Sequence, residues 1–310
     1  MNFLMPPRKH LVHKAIEPRN LSGGKLAEAN ARTDDLWQVK YDGCHAILIK
    51  ASGRAYAFSR QGEQVAGAMD RQLRAMEALA LDNYVVFAEA WRPDAIHSVM
   101  NGDFRRGYEA DDARLLKAIM FDWVPLQNFI AGTYSMCYES RQERLAELLF
   151  AFRTFAFGNL FDVAFTANTK AACVAHVEVQ QDVHKCVFAI DGFMRKARHG
   201  AWIAGGGSDG FNIKDKALFT ADLKVTGLVE GKGKFLGMLG AYECTYKGKP
   251  QLVGGGKLTT KQRQDIWDDK STKDGGIGSI IEVHALGEST NGLLREPRYA
   301  LVRYDKTEGE

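Results

Sequence analysis

The chain has 310 residues, a formal net charge of +3, 45% hydrophobic and 25% charged residues. That length allows two cores, the composition is ordinary for a folded globular protein, and so mild a charge excludes nucleic-acid binding by net charge alone while leaving room for local basic patches. No apolar run approaches the ~18–20 residues of a membrane span, the start MNFLMPPRKHLVHK lacks the features of a secretory signal, and five scattered cysteines without a C-x-x-C pair point to reduced thiols in a cytoplasmic or otherwise intracellular protein, not to a disulfide framework or zinc knuckle.

The first strong pattern is LWQVKYDGCHAILIK, residues 36–50, two apolar runs joined by Asp-Gly. It predicts two strands about a tight turn with Lys40 at the turn's mouth. Lys40 is either a hairpin lysine or a nucleophile, since shelter among apolar strands and cations favours the free amine. Asp42 would position that amine or a water, and Gly43 would take a positive φ or permit close backbone approach. FSRQGE follows, placing Arg60 after a strand-like run, exposed by default. DRQLRAMEALALDN has helical spacing, and YVVFAEAW reads as a buried strand carrying Glu89. A carboxylate buried there needs a ligand hydroxyl, a cation or a metal.

LLKAIMFDWVPL is the next strand, with Phe121 either a core residue or an aromatic that stacks on a base. SRQERLAELLFAFR is a helix. AIDGFMRK supplies Asp191 and Lys196, AGGGSDG at 204–210 reads as a flexible loop, and FNIKDK supplies Lys214 and Lys216. Two residues apart in a strand, Lys214 and Lys216 share a face, which is either a plain solvated one or one where an anion such as a polyphosphate offsets their repulsion. Beyond Thr220 come glycine-broken strands, LKVTGLVEG, GMLGAYECTYKGKP, QLVGGGKL, GSIIEVHAL and RYALVRYDK, with one helix near TTKQRQDIWDD. The fold class is α+β: a mixed domain over 1–220, then a small Greek-key barrel of the OB kind over 221–310.

Taken in order, KYDG, SRQGE, FAEAW, IMFDWVPL, DGFMRK and NIKDK resemble the successive motifs of the covalent nucleotidyltransferases. LREPRYALVRYDK resembles the last motif of the ATP-dependent DNA ligases, and the short lead-in before Lys40 is similar to the compact ligases of phages. The resemblance implies an adenylation domain of antiparallel, ATP-grasp-like sheets with helices, followed by an OB-fold. It implies ATP and Mg²⁺, or Mn²⁺ in its place, as cofactors, nicked double-stranded DNA as partner, and a monomer serving DNA repair, replication or recombination. By position, Lys40 would accept AMP, Gln38 would lie beside adenine and Phe121 would stack on it. His45 and Arg60 would meet the sugar or phosphate, Glu89 the ribose hydroxyl or metal, and Asp191 the metal. Lys196 would lie near the nucleotide, Lys214 and Lys216 would hold the α-phosphate, and Arg303, Asp305 and Lys306 would orient the departing pyrophosphate.

The chain departs from that pattern in places. His45 stands where arginine is common, Asp191 where glutamate is usual, Gln38 where glutamate or threonine is frequent, and Ala88 where glycine often precedes the acid. AGGGSDG is poor in the basic residues often found between the last two nucleotide motifs. EGKGKF, YKGKP and GGGKLTTKQR in the barrel suit phosphate-backbone contact without base readout. Within nucleotidyl transfer the alternatives are an RNA ligase or an RNA-capping guanylyltransferase. From another class, the alternative is a non-catalytic OB-type nucleic-acid-binding protein.

Overall fold

The computed structural model describes residues 6, 11–65, 67–93, 95, 97–106, 116–184, 190–215, 219–256, 258–270, 274–285, 288, 292–294 and 297–309. Lys216 and Cys186 therefore lie outside the described residues. Two compact units divide the chain, Met1–Asp215 and Lys216–Glu310.

In the first unit the chain forms α1 (Gly23–Ala31), whose N-cap Ser22 accepts from the Lys25 amide, then β1 (Leu36–Tyr41), β2 (Cys44–Ala51) and β3 (Arg54–Ser59). Next come α2 (Asp70–Ala78), β4 (Tyr84–Trp91), α3 (His97–Arg106), β5 (Lys117–Pro125), α4 (Leu126–Ala131) and β6 (Thr133–Tyr134). The unit closes with α5 (Tyr138–Thr154), β7 (Phe161–Val163), β8 (Thr166–Ala167), α6 (Lys170–His184), β9 (Ile190–Lys196), β10 (Trp202–Ile203) and β11 (Asn212–Asp215).

One sheet has the order β3-β2-β4-β5-β7 and another β11-β9-β1-β8, with β6 and β10 forming a small ribbon. Pairing is antiparallel throughout these sheets except between β5 and β7. Strands β2 and β4 are near-continuous apolar runs because core covers both their faces: Ala46, Leu48, Val86 and Ala88 on one side, Ile47, Ile49, Val85 and Phe87 on the other.

Strand β1 pairs with β8 and β9, whereas β2 pairs with β3 and β4. Asp42 and Gly43 thus carry the chain from one sheet to the other, and the hairpin expected at Lys40 is not formed. Gly43 does not take a left-handed φ. Its role is proximity, since a Cβ there would stand 2.6 Å from the Ala90 carbonyl oxygen and 3.2 Å from Glu89 Cβ.

The expected flexible loop at 204–210 is also corrected. His13 Nε2 lies 2.9 Å from Asp209 Oδ2, and Asp209 accepts from the amides of Gly207 and Phe211. The Gly205 amide donates to Val12 O at 2.8 Å, and Ile16 pairs with Ile213 at the edge of β11. Distant residues that sequence spacing cannot reveal therefore pin the glycine run.

The second unit is a closed barrel of order β12-β13-β14-β16-β15, from β12 (Phe219–Glu230), β13 (Leu239–Tyr246), β14 (Lys249–Gly254), β15 (Ile280–Ala285) and β16 (Arg298–Val302). Helix α7 (Thr260–Asp268) sits between β14 and β15, started by a Thr259–Gln262 capping box. The five segments read as strands each supply one barrel strand, and the expected OB-type barrel forms. The expected boundary at 220 falls inside β12. Among the described residues no helix is long and apolar enough to cross a membrane. Cys44, Cys137, Cys173 and Cys244 are free thiols, and burial pushes Cys44 up to about 12, with the Glu89 carboxylate acting in the same direction.

Candidate active site

Register gathers the chemistry onto one face of the four-stranded sheet. Gln38 on β1 faces Met194 on β9, which faces Lys214 on β11, and Leu36, Lys196 and Asn212 form the next row. Side chains alternate along a strand, so Gln38, Lys40, Lys196 and Lys214 share that face.

Asp191 joins them through a bulge. Val39 faces Phe193 but Tyr41 faces Ile190, so Asp191 and Gly192 together oppose Lys40. Gly192 accommodates the extra residue at φ 90°, a conformation glycine adopts without steric cost. Five positions from Lys196, Asp191 would otherwise point to the opposite face. With the bulge, its Oδ2 lies 2.7 Å from Lys40 Nζ. The expected setting of Lys40 among cations is thereby corrected: its nearest charged neighbour is a carboxylate.

A second bulge aims Phe121. Phe87 faces Asp122 while Ala88 faces Met120, leaving Phe121 as the extra residue of β5. Its ring is 5.4 Å from His45 and 5.8 Å from the Lys196 ammonium, joining residues of both sheets. His45 and Glu89 stand directly opposite each other on β2 and β4, with Nδ1 and Oε1 3.8 Å apart. His45 Nε2 is enclosed and makes no hydrogen bond to a described residue.

Behind this face lies a layer that the motif reading passed over. Gln38 Nε2 donates to Tyr138 Oη at 2.7 Å and Thr166 Oγ1 at 3.1 Å, and Tyr138 Oη donates to Phe121 O at 3.4 Å. The Lys196 ammonium sits 4.9 Å from the Tyr138 ring centre. Burial pushes Lys196 down to about 8; Asp122 opposes that shift and Arg141 adds to it.

Burial alone would raise the Asp122 carboxyl, but the Arg141 guanidinium, with the Lys196 ammonium and the Trp123 amide, holds it below the usual range. The Asp122–Arg141 pair is bidentate, Nε to Oδ1 at 2.7 Å and Nη2 to Oδ2 at 3.2 Å, and Arg141 Nη1 also donates to Met136 O and Gly200 O. Asp122 was findable, because the argument made for Glu89, a carboxylate in an apolar strand, applies equally to FDW. Arg141 and Tyr138, on α5, carry no such signal.

Arg60 stands exposed beyond β3, and among the described residues no hydrogen bond or ion pair ties it to this cluster. Arg303 and Lys306 belong to the barrel unit, where Arg303 Nη1 donates to both oxygens of Asp222 and Lys306 Nζ bonds to Asp222 Oδ2.

Among the described residues no three His, Cys, Asp or Glu side chains converge as a metal cage. Mg²⁺ is commonly held by one or two carboxylates plus water and phosphate oxygens, and the carboxylates of Asp191 and Glu89 are donors of the kind such an ion would take. A primary amine beside a carboxylate, with two further ammonium groups and an aromatic ring nearby, is equipped to bind an anionic ligand with a planar ring and to attack it.

Residues 230–303 match the family model described as DNA ligase OB-like domain. No curated protein sequence matches the chain. Several solved structures share its fold. One, named Pmar-Lig_Pre, aligns with a TM-score of 0.71 at 19% identity, covering 95% of this chain and 68% of that one. A structure from work on DNA binding with a minimal scaffold in Lig E DNA ligases gives 0.65 at 19% identity over 97% and 100%. The ATP-dependent DNA ligase of bacteriophage T7 in complex with ATP gives 0.54 at 15% identity over 94% and 98%.

Proposed function

We infer that the chain is an ATP-dependent DNA ligase that seals nicks in duplex DNA, as a monomer, through a lysyl-AMP intermediate on Lys40. The observation that carries this reading is the Lys40–Asp191 pair on one sheet face with Gln38, Lys196 and Lys214. The barrel's match to the ligase OB-like model and the shared fold support it.

In the first step Lys40 Nζ bonds to the α-phosphorus of ATP as the bond to pyrophosphate breaks. Asp191 Oδ2 is the nearby acceptor for the proton the amine sheds. Lys196, Lys214 and Lys216 meet the negative charge on the phosphate oxygens. Phe121 stacks on adenine. The Gln38 amide nitrogen is committed to Tyr138 and Thr166, so its oxygen is the atom to accept from the adenine amino group. Glu89 takes a ribose hydroxyl, His45 and Arg60 serve the sugar and phosphates, and Arg303 and Lys306 orient pyrophosphate. Mg²⁺ at Asp191 and Glu89 would supply further charge neutralisation on the phosphates. AMP then passes to the 5′-phosphate of the nick, and the 3′-hydroxyl displaces it, closing the strand.

Incubation with α-labelled ATP and Mg²⁺, followed by a denaturing gel, tests the reading. Wild type should carry label, Lys40→Ala should carry none while still binding nicked duplex, and GTP should give no adduct. Label retained by Lys40→Ala would exclude this mechanism.

A further inference from the structure

The barrel holds an acidic partner for the residues expected to meet pyrophosphate. Asp222 on β12 is in register with Glu282 on β15, placing two carboxylates side by side across the ladder. Like charges at such positions destabilise a sheet unless a cation intervenes. Arg303 is that cation: its Nη1 lies 3.0 and 2.9 Å from the two oxygens of Asp222 and 3.6 Å from Glu282 Oε2. Asp305 takes the guanidinium's remaining edge, with Nε to Oδ1 at 2.9 Å and Nη2 to Oδ2 at 2.7 Å. Lys306 bonds to Asp222 as well.

The end of the segment also runs close against the backbone of β12. A Cβ at Gly309 would be 2.7 Å from the Lys224 nitrogen and 2.9 Å from Asp222 O. Asp222 is largely enclosed, its side chain 9% exposed, against 41% for Lys306. Arg303 and Lys306 therefore face three carboxylates, one of which, Glu282, also bonds His284 Nε2 at 2.8 Å, so the charge of the pair is already met within the barrel.

We propose that Asp222 is an internal stand-in for phosphate: its carboxylate keeps Arg303 and Lys306 oriented as a cationic pair and competes with the pyrophosphate end of ATP for their donors. This rests on the ligase reading. Both ligands are oxyanions that attract the same charged nitrogens, so the hold of Asp222 on Arg303 Nη1 and Lys306 Nζ opposes the turning of these groups toward pyrophosphate. Asp222 touches no reacting atom; it is a positioning residue that sets how readily the pair is released.

Asp222→Asn keeps the shape and removes the charge. With initial rates of lysyl-AMP formation measured against ATP concentration, the variant should show a KM for ATP lower by about two- to fivefold, the scale of the partly exposed ion pairs that this carboxylate makes with Arg303 and Lys306. Inorganic pyrophosphate should reverse adenylation at correspondingly lower concentration. Sealing of a chemically pre-adenylated nick, which involves no pyrophosphate, should be unchanged, and Asp222→Glu should restore the wild-type KM.

An unchanged KM, or equal slowing of both partial reactions together with a lower Tm, would make Asp222 purely structural and overturn the proposal. Should Asp222→Asn fail to fold, Glu282→Gln removes the second acid from Arg303 and must move KM the same way; no movement there is equally fatal. Failure of wild type to form lysyl-AMP would overturn the parent reading, whereas normal labelling with an unaltered KM in these variants overturns this inference alone.

Discussion

Lys196 is the residue at which the site's electrostatics are most exposed to measurement. It is buried against the rings of Phe121 and Tyr138, and its proton is held down to about 8 against an ordinary lysine value of 10.5. Below about 8 both folded and unfolded chains carry the charge, and the folded chain bears its burial cost. Between about 8 and 10.5 only the unfolded chain holds the proton, so this residue's contribution to stability rises with pH across that window and is level beyond it. Lys196→Met should therefore stabilise the first unit at pH 7, by at most about 3 kcal/mol from the shift alone and less after loss of the ring contacts. That advantage should shrink toward zero by pH 10. Urea unfolding of both proteins at pH 7 and 9.5 checks it, and a pH-independent difference would mean the ammonium is not penalised. Asp191 and Phe121 illustrate the opposite problem at this scale: their identities are plain in DGFMRK and IMFDW, but a single extra residue in each strand decides where they point.

At the scale of elements, the segment 11–16 and the glycine run 204–210 hold each other. Leu11 and Val12 are buried against Ile47, Ile49 and Trp202, while His13 reaches Asp209 and Ile16 O accepts from the Lys214 amide. Removing the Asp209 carboxylate strands the donors it satisfies, so Asp209→Ala should cost about 1–3 kcal/mol. It should also speed hydrogen exchange at Gly205 and Lys214. Asp209's carboxyl lies below the ordinary 3.8 because its bonds with His13 and with the Phe211 and Gly207 amides outweigh burial. A depressed folded value gives stability that is present above the unfolded value and lost as pH falls through the folded one. The gap between wild type and Asp209→Ala should be full at pH 6 and close as pH drops below the carboxylate range; a gap that persists in acid would point to packing instead. Helix α6 marks a limit of pattern reading. Its valines read as readily as strand, and only the burial of Cys173 and Val177, four apart, over the back of β1 explains the helix.

At the scale of the molecule, two cores close separately. Leu223, Val253, Ile281 and Val283 fill the barrel, while Leu48, Val86, Met120 and Phe161 belong to the core of the first unit. Leu223→Ala, at a fully buried position, should cost about 2–5 kcal/mol. Urea-dependent hydrogen exchange should show that loss in peptides from 219–309 while those from 11–215 keep their midpoint; a matched shift in both would indicate one cooperative unit.

The barrel was legible because a half-buried strand writes its geometry locally: β12 to β14 alternate buried and exposed residues, and glycines mark their ends. The inventory of chemical groups was equally local, since Lys40, Glu89, Lys196 and Lys214 stand in motifs a few residues long. What the linear order left undecided was which partner each group meets. The Lys40–Asp191 pair, the Asp122–Arg141 pair beneath it and the Asp222–Arg303 clasp join residues 151, 19 and 81 positions apart. Side-chain direction in a sheet reverses with each residue of register, and register between distant strands is set by pairing and bulges that exist only once the chain has folded.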